Sequence, residues 1–200
     1  MSKAETTMRL ACSGAALLAG FSSSAQAQDV NGFYGGVGLA IPSGSVDLGF
    51  SGYSISGSAL GSVFAGYNVV SASGLVYGGE LAVTQGTDVS GAYGDFGTKP
   101  MVDVKGRLGK VFGKTLVYGS LGYSMGSLTW SSGSGTMAKV GGMNIGVGFE
   151  APIGARGFLG GDITSRDLKP RGTNEYGDPS SNYVDSMNMT TVSVRVGFRF

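Results

Sequence analysis

Nine charged side chains alternate with apolar neighbours along this chain. Glu80, Asp103, Glu150 and Asp162 are the acids; Lys105, Arg107, Arg166, Arg195 and Arg199 are the bases. Residues two apart in a strand share a face. The run Val102-Asp-Val-Lys-Gly-Arg-Leu108 therefore puts Asp103, Lys105 and Arg107 on one side and Val102, Val104 and Leu108 on the other. If the charged side is enclosed, its groups must pair, because a lone buried charge is strongly destabilising. Four acids against five bases is close to balance. On neighbouring segments, Glu80 is a plausible partner for Arg107 and Glu150 for Arg166. Two kinds of chemistry fit such a set. One is a salt-bridged plug that holds a narrow barrel shut; the other is the charged lining of a small gated pore. Side chains just fill a ring of eight strands, which favours the plug.

The rest of the inventory excludes most catalysis. The chain has no histidine, and its one cysteine is Cys12. Ser-His-Asp and Cys-His systems therefore lack a base or a thiolate, and a zinc ion would find only carboxylates as anionic ligands. The acids Asp167, Glu175, Asp178 and Asp185 lie in a loop stretch without the spacing of a calcium loop. Gly35-Gly-Val-Gly38 and Gly141-Gly142 are not followed by a helical pattern, so they do not read as phosphate loops. No catalytic residue, cofactor or metal site is expected.

The elements that must position the charges begin after a leader. Lys3 and Arg9 form a basic start, Leu10 to Phe21 a short apolar stretch, and Ala25-Gln-Ala27 a small-residue cleavage site. This pattern is that of a secretory signal peptide, too short to span as a helix. Residues 1–27 are thus read as a signal and 28–200 as one domain. The signal takes two of the 14 basic and one of the 13 acidic residues, leaving 12 of each and no basic excess for nucleic acid. Glycine, at 38 residues, is about a fifth of the chain against a usual ~7% and has no three-residue period, which rules out collagen.

From residue 32 onward the chain resolves into eight alternating segments of about ten residues, the signature of membrane strands. They run over 32–41, 60–69, 75–83, 101–111, 116–125, 139–150, 158–167 and 190–200. The last is Thr190-Thr-Val-Ser-Val-Arg-Val-Gly-Phe-Arg-Phe200, with Val192, Val194, Val196, Phe198 and Phe200 on one face. The connections alternate between long and short. Long Ser/Gly-rich loops cover 42–58, 84–100, 126–136 and 168–188, and short turns fall between them. Long loops outside and short turns in the periplasm are expected of an outer-membrane barrel. A soluble barrel would instead turn its bulky apolar face inward. Phe33, Tyr34, Tyr67, Tyr77, Trp130, Phe149, Phe158, Phe198 and Phe200 lie mostly near segment ends, where interface girdles would place them.

Seven motifs carry a family likeness: Gly32-Phe-Tyr-Gly-Gly-Val-Gly38, Ala65-Gly-Tyr-Asn68, Tyr77-Gly-Gly-Glu80, Lys105-Gly-Arg-Leu-Gly109, Thr115-Leu-Val-Tyr118, Gly146-Val-Gly-Phe-Glu150 and the ending Val194-Arg-Val-Gly-Phe-Arg-Phe200. In their order and spacing the chain resembles the small outer-membrane β-barrel proteins of the OmpA-like, opacity-like "porin family" type of alphaproteobacteria. The resemblance implies an all-β fold: an eight-stranded antiparallel up-and-down transmembrane β-barrel behind a cleavable signal peptide. It implies a non-enzymatic envelope structural protein and surface antigen, with a narrow channel for small solutes as the alternative. It also implies outer-membrane lipid and lipopolysaccharide as surroundings, and barrel-insertion machinery that reads the terminal strand through Phe200. Contacts with host or surface ligands would form through the long loops. If this reading holds, the chain stays in solution only with detergent and migrates differently on gels before and after boiling. A stable soluble monomer without detergent would contradict it.

Overall fold

The computed structural model describes residues 30–48, 52–56, 59–86, 88–89, 96–130 and 135–200. The proposed signal, with Ala25 and Ala27, lies outside the described residues. Eight long strands make the body: β1 Gly32–Asp47, β2 Leu60–Val70, β3 Leu75–Thr84, β4 Met101–Phe112, β5 Thr115–Thr129, β6 Thr136–Ile153, β7 Gly157–Arg171 and β8 Ser186–Arg199. Each pairs antiparallel with its sequence neighbours, and β1 also pairs with β8 from Tyr34↔Arg199 to Asp47↔Ser186. The ring closes, so none of the eight is left with a free edge over its membrane-crossing length.

Three tight turns join β2 to β3, β4 to β5 and β6 to β7. Each carries one glycine with positive φ, at Gly74, Gly113 and Gly154. A side chain there would clash with its own backbone. The other connections lie at the opposite end of the ring. Short strands at Gly52–Ser56, Asp88–Val89 and Phe96–Thr98 extend the sheet there. A single turn of 3-10 helix, Ser180–Asn182, sits in the connection before β8.

Phe33, Val37, Leu39 and Ile41 point away from the ring on β1, and Val192, Val194, Val196 and Phe198 do so on β8. On β5 the outward set is Val117, Leu121, Tyr123 and Met125; on β6 it is Met143, Ile145, Val147 and Phe149. The outward runs span seven to nine residues, close to what a tilted strand needs to cross a bilayer. Near the tight turns this belt ends in aromatics. Phe33 and Tyr67 meet edge-to-face on the outside at 4.6 Å, with Tyr77, Phe149 and Phe198 around the same rim. Tyr34 and Phe158 do not belong to that girdle: both point inward and are buried.

The strands run past their expected ends on the long-loop side. β1 reaches Asp47 rather than Ile41, β5 reaches Thr129, β6 starts at Thr136, β7 reaches Arg171 and β8 starts at Ser186. There the pattern inverts. Ser43, Ser45 and Asp47 face out while Val46 faces in. Asn188 faces out while Met187 and Met189 face in. Above the bilayer the outside of the ring meets water, so an ordinary apolar core forms inside. It joins Val46, Ile55, Leu128, Leu168, Val184 and Met187. Segments with polar residues on the outer face do not read as membrane strands, which is why the sequence suggests loops.

Glycine also seats the inward aromatics. Tyr34 is paired with Gly66, Tyr118 with Gly148, Phe64 with Gly36 and Phe158 with Gly197. In every pair a Cβ on the glycine would run into the partner's ring. The ring lies flat across its bare neighbour, as in aromatic rescue of strand glycines. Gly197→Ala is predicted to lower stability by about 1–3 kcal/mol in urea unfolding from lipid vesicles. Phe158→Leu in the same chain should recover part of that loss.

Candidate functional site

All nine charged residues singled out above project into the lumen, and they form seven ion pairs among the described residues. Glu80 on β3 is the hub. It lies 2.5 Å from Arg195 of β8, 3.1 Å from Arg107 of β4 and 4.0 Å from Lys105 of β4. Glu150 on β6 holds Arg107 at 2.5 Å and Arg199 at 3.0 Å. Asp162 on β7 holds Arg195 at 2.8 Å. Asp103 on β4 takes Arg166 of β7 in a forked contact of 3.0 and 2.6 Å, the two-bond geometry that suits guanidinium and carboxylate.

The expected pair Glu80–Arg107 is present, but Glu150–Arg166 is not. In the β6–β7 ladder Glu150 stands opposite Gly160, while Arg166 stands opposite Asn144. Six residues of strand, roughly 20 Å, separate the two side chains. Arg166 reaches across the lumen to Asp103 instead, and Glu150 pairs with Arg107 and Arg199. Most pairs bridge strands that are not neighbours in the ring, which reasoning from adjacent segments could not supply.

Uncharged residues complete the network. The Tyr34 hydroxyl donates to Glu80 Oε2 at 3.1 Å and accepts a short hydrogen bond from Arg107. The Arg107 guanidinium stacks 3.7 Å above the Tyr118 ring, and that of Arg195 lies 3.8 Å over Phe64. Arg195 also donates to the Tyr118 hydroxyl at 3.0 Å. Ser124 donates to Asp103 at 2.6 Å, Ser193 to Asp162 at 2.8 Å, Lys105 to Thr164 at 3.1 Å and Arg166 to Thr191 at 2.7 Å. Sequence reasoning left these polar partners out. Their signal was parity: each shares the inward face of its strand with a charge or a glycine.

Apolar layers bound the charged layer. Val30, Val76, Val111, Leu116 and Tyr118 pack together at the tight-turn end. Tyr34, Phe64 and Phe158 fill the level of Glu80. The Val46–Leu128–Met187 core lies at the long-loop end. A cavity of about 30 Å³ lies among Glu80, Asp103, Lys105, Asp162, Arg166 and Arg195, enough for one or two waters and no larger solute.

The connection between β7 and β8 folds over the outer mouth. The Asn174 side chain accepts from the backbone N–H groups of Tyr176 and Asp178 at 2.8 and 2.9 Å. The backbone N–H of Lys139 donates to Ser180 Oγ at 3.0 Å, and that of Thr136 to Glu175 Oε2 at 3.1 Å. Tyr183 donates to Asp178 at 3.0 Å, and that hydrogen bond raises its phenol above the ordinary value. Phe200 sits outside at the other end, exposed, its N–H donating to the Phe33 carbonyl at 2.9 Å. Trp130 follows β5 directly and meets the Tyr183 ring edge-on at 5.7 Å.

A closed ring with an apolar belt outside and paired charges inside defines an integral β-barrel membrane protein. The chain belongs to the outer membrane protein beta-barrel domain family, whose model matches residues 13–200. It is an outer-membrane protein. Its structure is similar to that of Neisserial surface protein A, at 14% identity and a TM-score of 0.55, covering 85% of this chain and 98% of that one. It is also similar to Ail, the attachment invasion locus protein of Yersinia pestis, at 11% identity and a TM-score of 0.51, covering 85% and 99%. No protein among the curated ones matches the chain by sequence.

Removing the hub should be costly. Glu80→Ala leaves Arg107, Arg195 and Lys105 without their shared carboxylate, and stability in urea is predicted to fall by about 3–5 kcal/mol. A loss below 1 kcal/mol would show that the network is solvated.

Proposed function

We propose that this protein is a closed, non-enzymatic envelope barrel that anchors surface loops at the outer membrane. The observation that carries this reading is the stacked filling of the lumen: an apolar layer, a paired charge layer and a second apolar layer, with only about 30 Å³ of space in the middle. A solute path would have to break ion pairs that span the lumen and displace the Val46–Met187 core. The lack of histidine and of cysteine beyond residue 12 supports a non-catalytic role. On this reading the nine charges are structural. The loops, Ser- and Gly-rich in sequence, present the surface that a host or environmental partner would meet. The last strand, with Phe200 outward, serves as the segment recognised during insertion.

The competing reading is a narrow channel, and the charged lining is the feature that favours it. Single-channel recording of the refolded chain in planar bilayers separates the two. A folded, heat-modifiable barrel is expected to be electrically silent, and Arg107→Ala is expected to give at most brief, irregular openings. Reproducible unitary steps from the unaltered chain would establish the channel and overturn the closed reading.

A further inference from the structure

We propose that Val30 is a movable stopper in the periplasmic mouth of the barrel, and that its withdrawal admits water as far as Asn68 while the outer end stays shut. The proposal rests on the closed reading above and concerns the tight-turn end alone. The two ends are sealed differently. The outer core draws its side chains from β1, β4 to β8, the short strand Gly52–Ser56 and the connection before β8. At the tight-turn end, Val76, Val111, Leu116 and Tyr118 come from β3, β4 and β5, which are neighbours in the ring. Val70 of β2 packs against them. The fifth buried member, Val30, precedes β1 and belongs to no ladder among the described residues.

Gly32 turns the chain so that Val30 reaches this layer. Its φ is +109°, which a side chain disfavours, and a Cβ there would come within 3.3 Å of the Phe200 carbonyl oxygen. Among the described residues one hydrogen bond ties the segment down: the Val70 N–H donates to Asn31 Oδ1 at 3.2 Å. Asn31 itself is exposed, whereas Val30 is buried. One exposed hydrogen bond and one valine's burial therefore hold the stopper, while the four side chains it meets are fixed in strands.

Behind the stopper lies a row of polar atoms that the closed state leaves unused. Asn68 is the next inward residue of β2 before Val70, paired with Gly32 on one side and Gly78 on the other. Gly78 in turn stands opposite Arg107. Asn68 is 1% exposed, yet neither atom of its amide has a hydrogen-bond partner among the described residues, and the same holds for Arg107 Nε. An enclosed amide with neither bond made is destabilising. Water arriving through the mouth that Val30 covers would supply both bonds. Further in, the Arg107 guanidinium stacked on Tyr118 blocks the way to Ser120, the next inward residue of β5.

Thiol labelling of the full chain, assembled in cells and extracted in detergent, tests the proposal. Val76→Cys puts the one thiol beyond Cys12 in the layer that Val30 completes. A small water-soluble reagent should label it slowly. Adding Val30→Ala should speed labelling about tenfold, the factor that about 1.4 kcal/mol of lost valine burial gives. Asn68→Cys should respond to Val30→Ala in the same way, and Ser120→Cys should stay unlabelled in both backgrounds. If Val76→Cys fails to fold, Val111→Cys takes its place. Unchanged labelling after Val30→Ala in a barrel that still migrates as folded would overturn the stopper, as would equally fast labelling with Val30 in place. Fast labelling of Val140→Cys, in the outer core, would strike at the closed reading instead.

Discussion

Nine charged side chains share an interior that a ring of eight strands leaves barely wide enough to fill, and their mutual neutralisation conditions the rest of the barrel. A carboxylate or guanidinium enclosed without a partner would be strongly destabilising. Glu80, Glu150, Asp103 and Asp162 avoid this by each meeting a base on another strand, mostly across the lumen. The pairs act as cross-braces between opposite walls. They also fix which inward positions can be small. The rings of Tyr34, Tyr118, Phe64 and Phe158 hold or flank the guanidiniums of Arg107, Arg195 and Arg199, and each ring needs a glycine opposite it. The high glycine content is thus tied to the network as well as to curvature.

The same strands serve three solvents. Around the membrane the outward face is apolar and the inward face polar. Near the long loops the two exchange, so that Ser43, Ser45 and Asn188 meet water while Val46, Met187 and Met189 form a core. The level at which apolar residues move from the outer face to the inner one marks the top of the hydrocarbon layer.

Strict alternation made much of this legible from the sequence. The inward or outward face of Asp103, Lys105 and Arg107 follows from counting by two from Val102, and the same count places Glu80, Glu150 and Arg195. Partners did not follow, because strand order along the chain says nothing of relative height. Strand tilt and stagger set that height, and they put Glu150 level with Gly160 and six residues from Arg166. Strand ends were missed for a related reason. Pro42 to Asp47 looks like loop because polar residues occupy its outer face, yet its backbone pairs with β8 as far as Ser186.

On the proposed closed reading, the interior is sealed while the exterior meets lipid. Ser120 and Leu121 are adjacent on β5 and point to opposite faces, the first buried in the lumen and the second half exposed on the belt. No cysteine follows Cys12, so Ser120→Cys and Leu121→Cys each introduce a single thiol into residues 28–200. In refolded barrels in vesicles, a small water-soluble thiol reagent should leave Ser120→Cys unmodified, and a probe on Leu121→Cys should be quenched by lipid-borne quenchers. Rapid modification of Ser120→Cys with the barrel still folded would mean a water-filled lumen and would contradict the account.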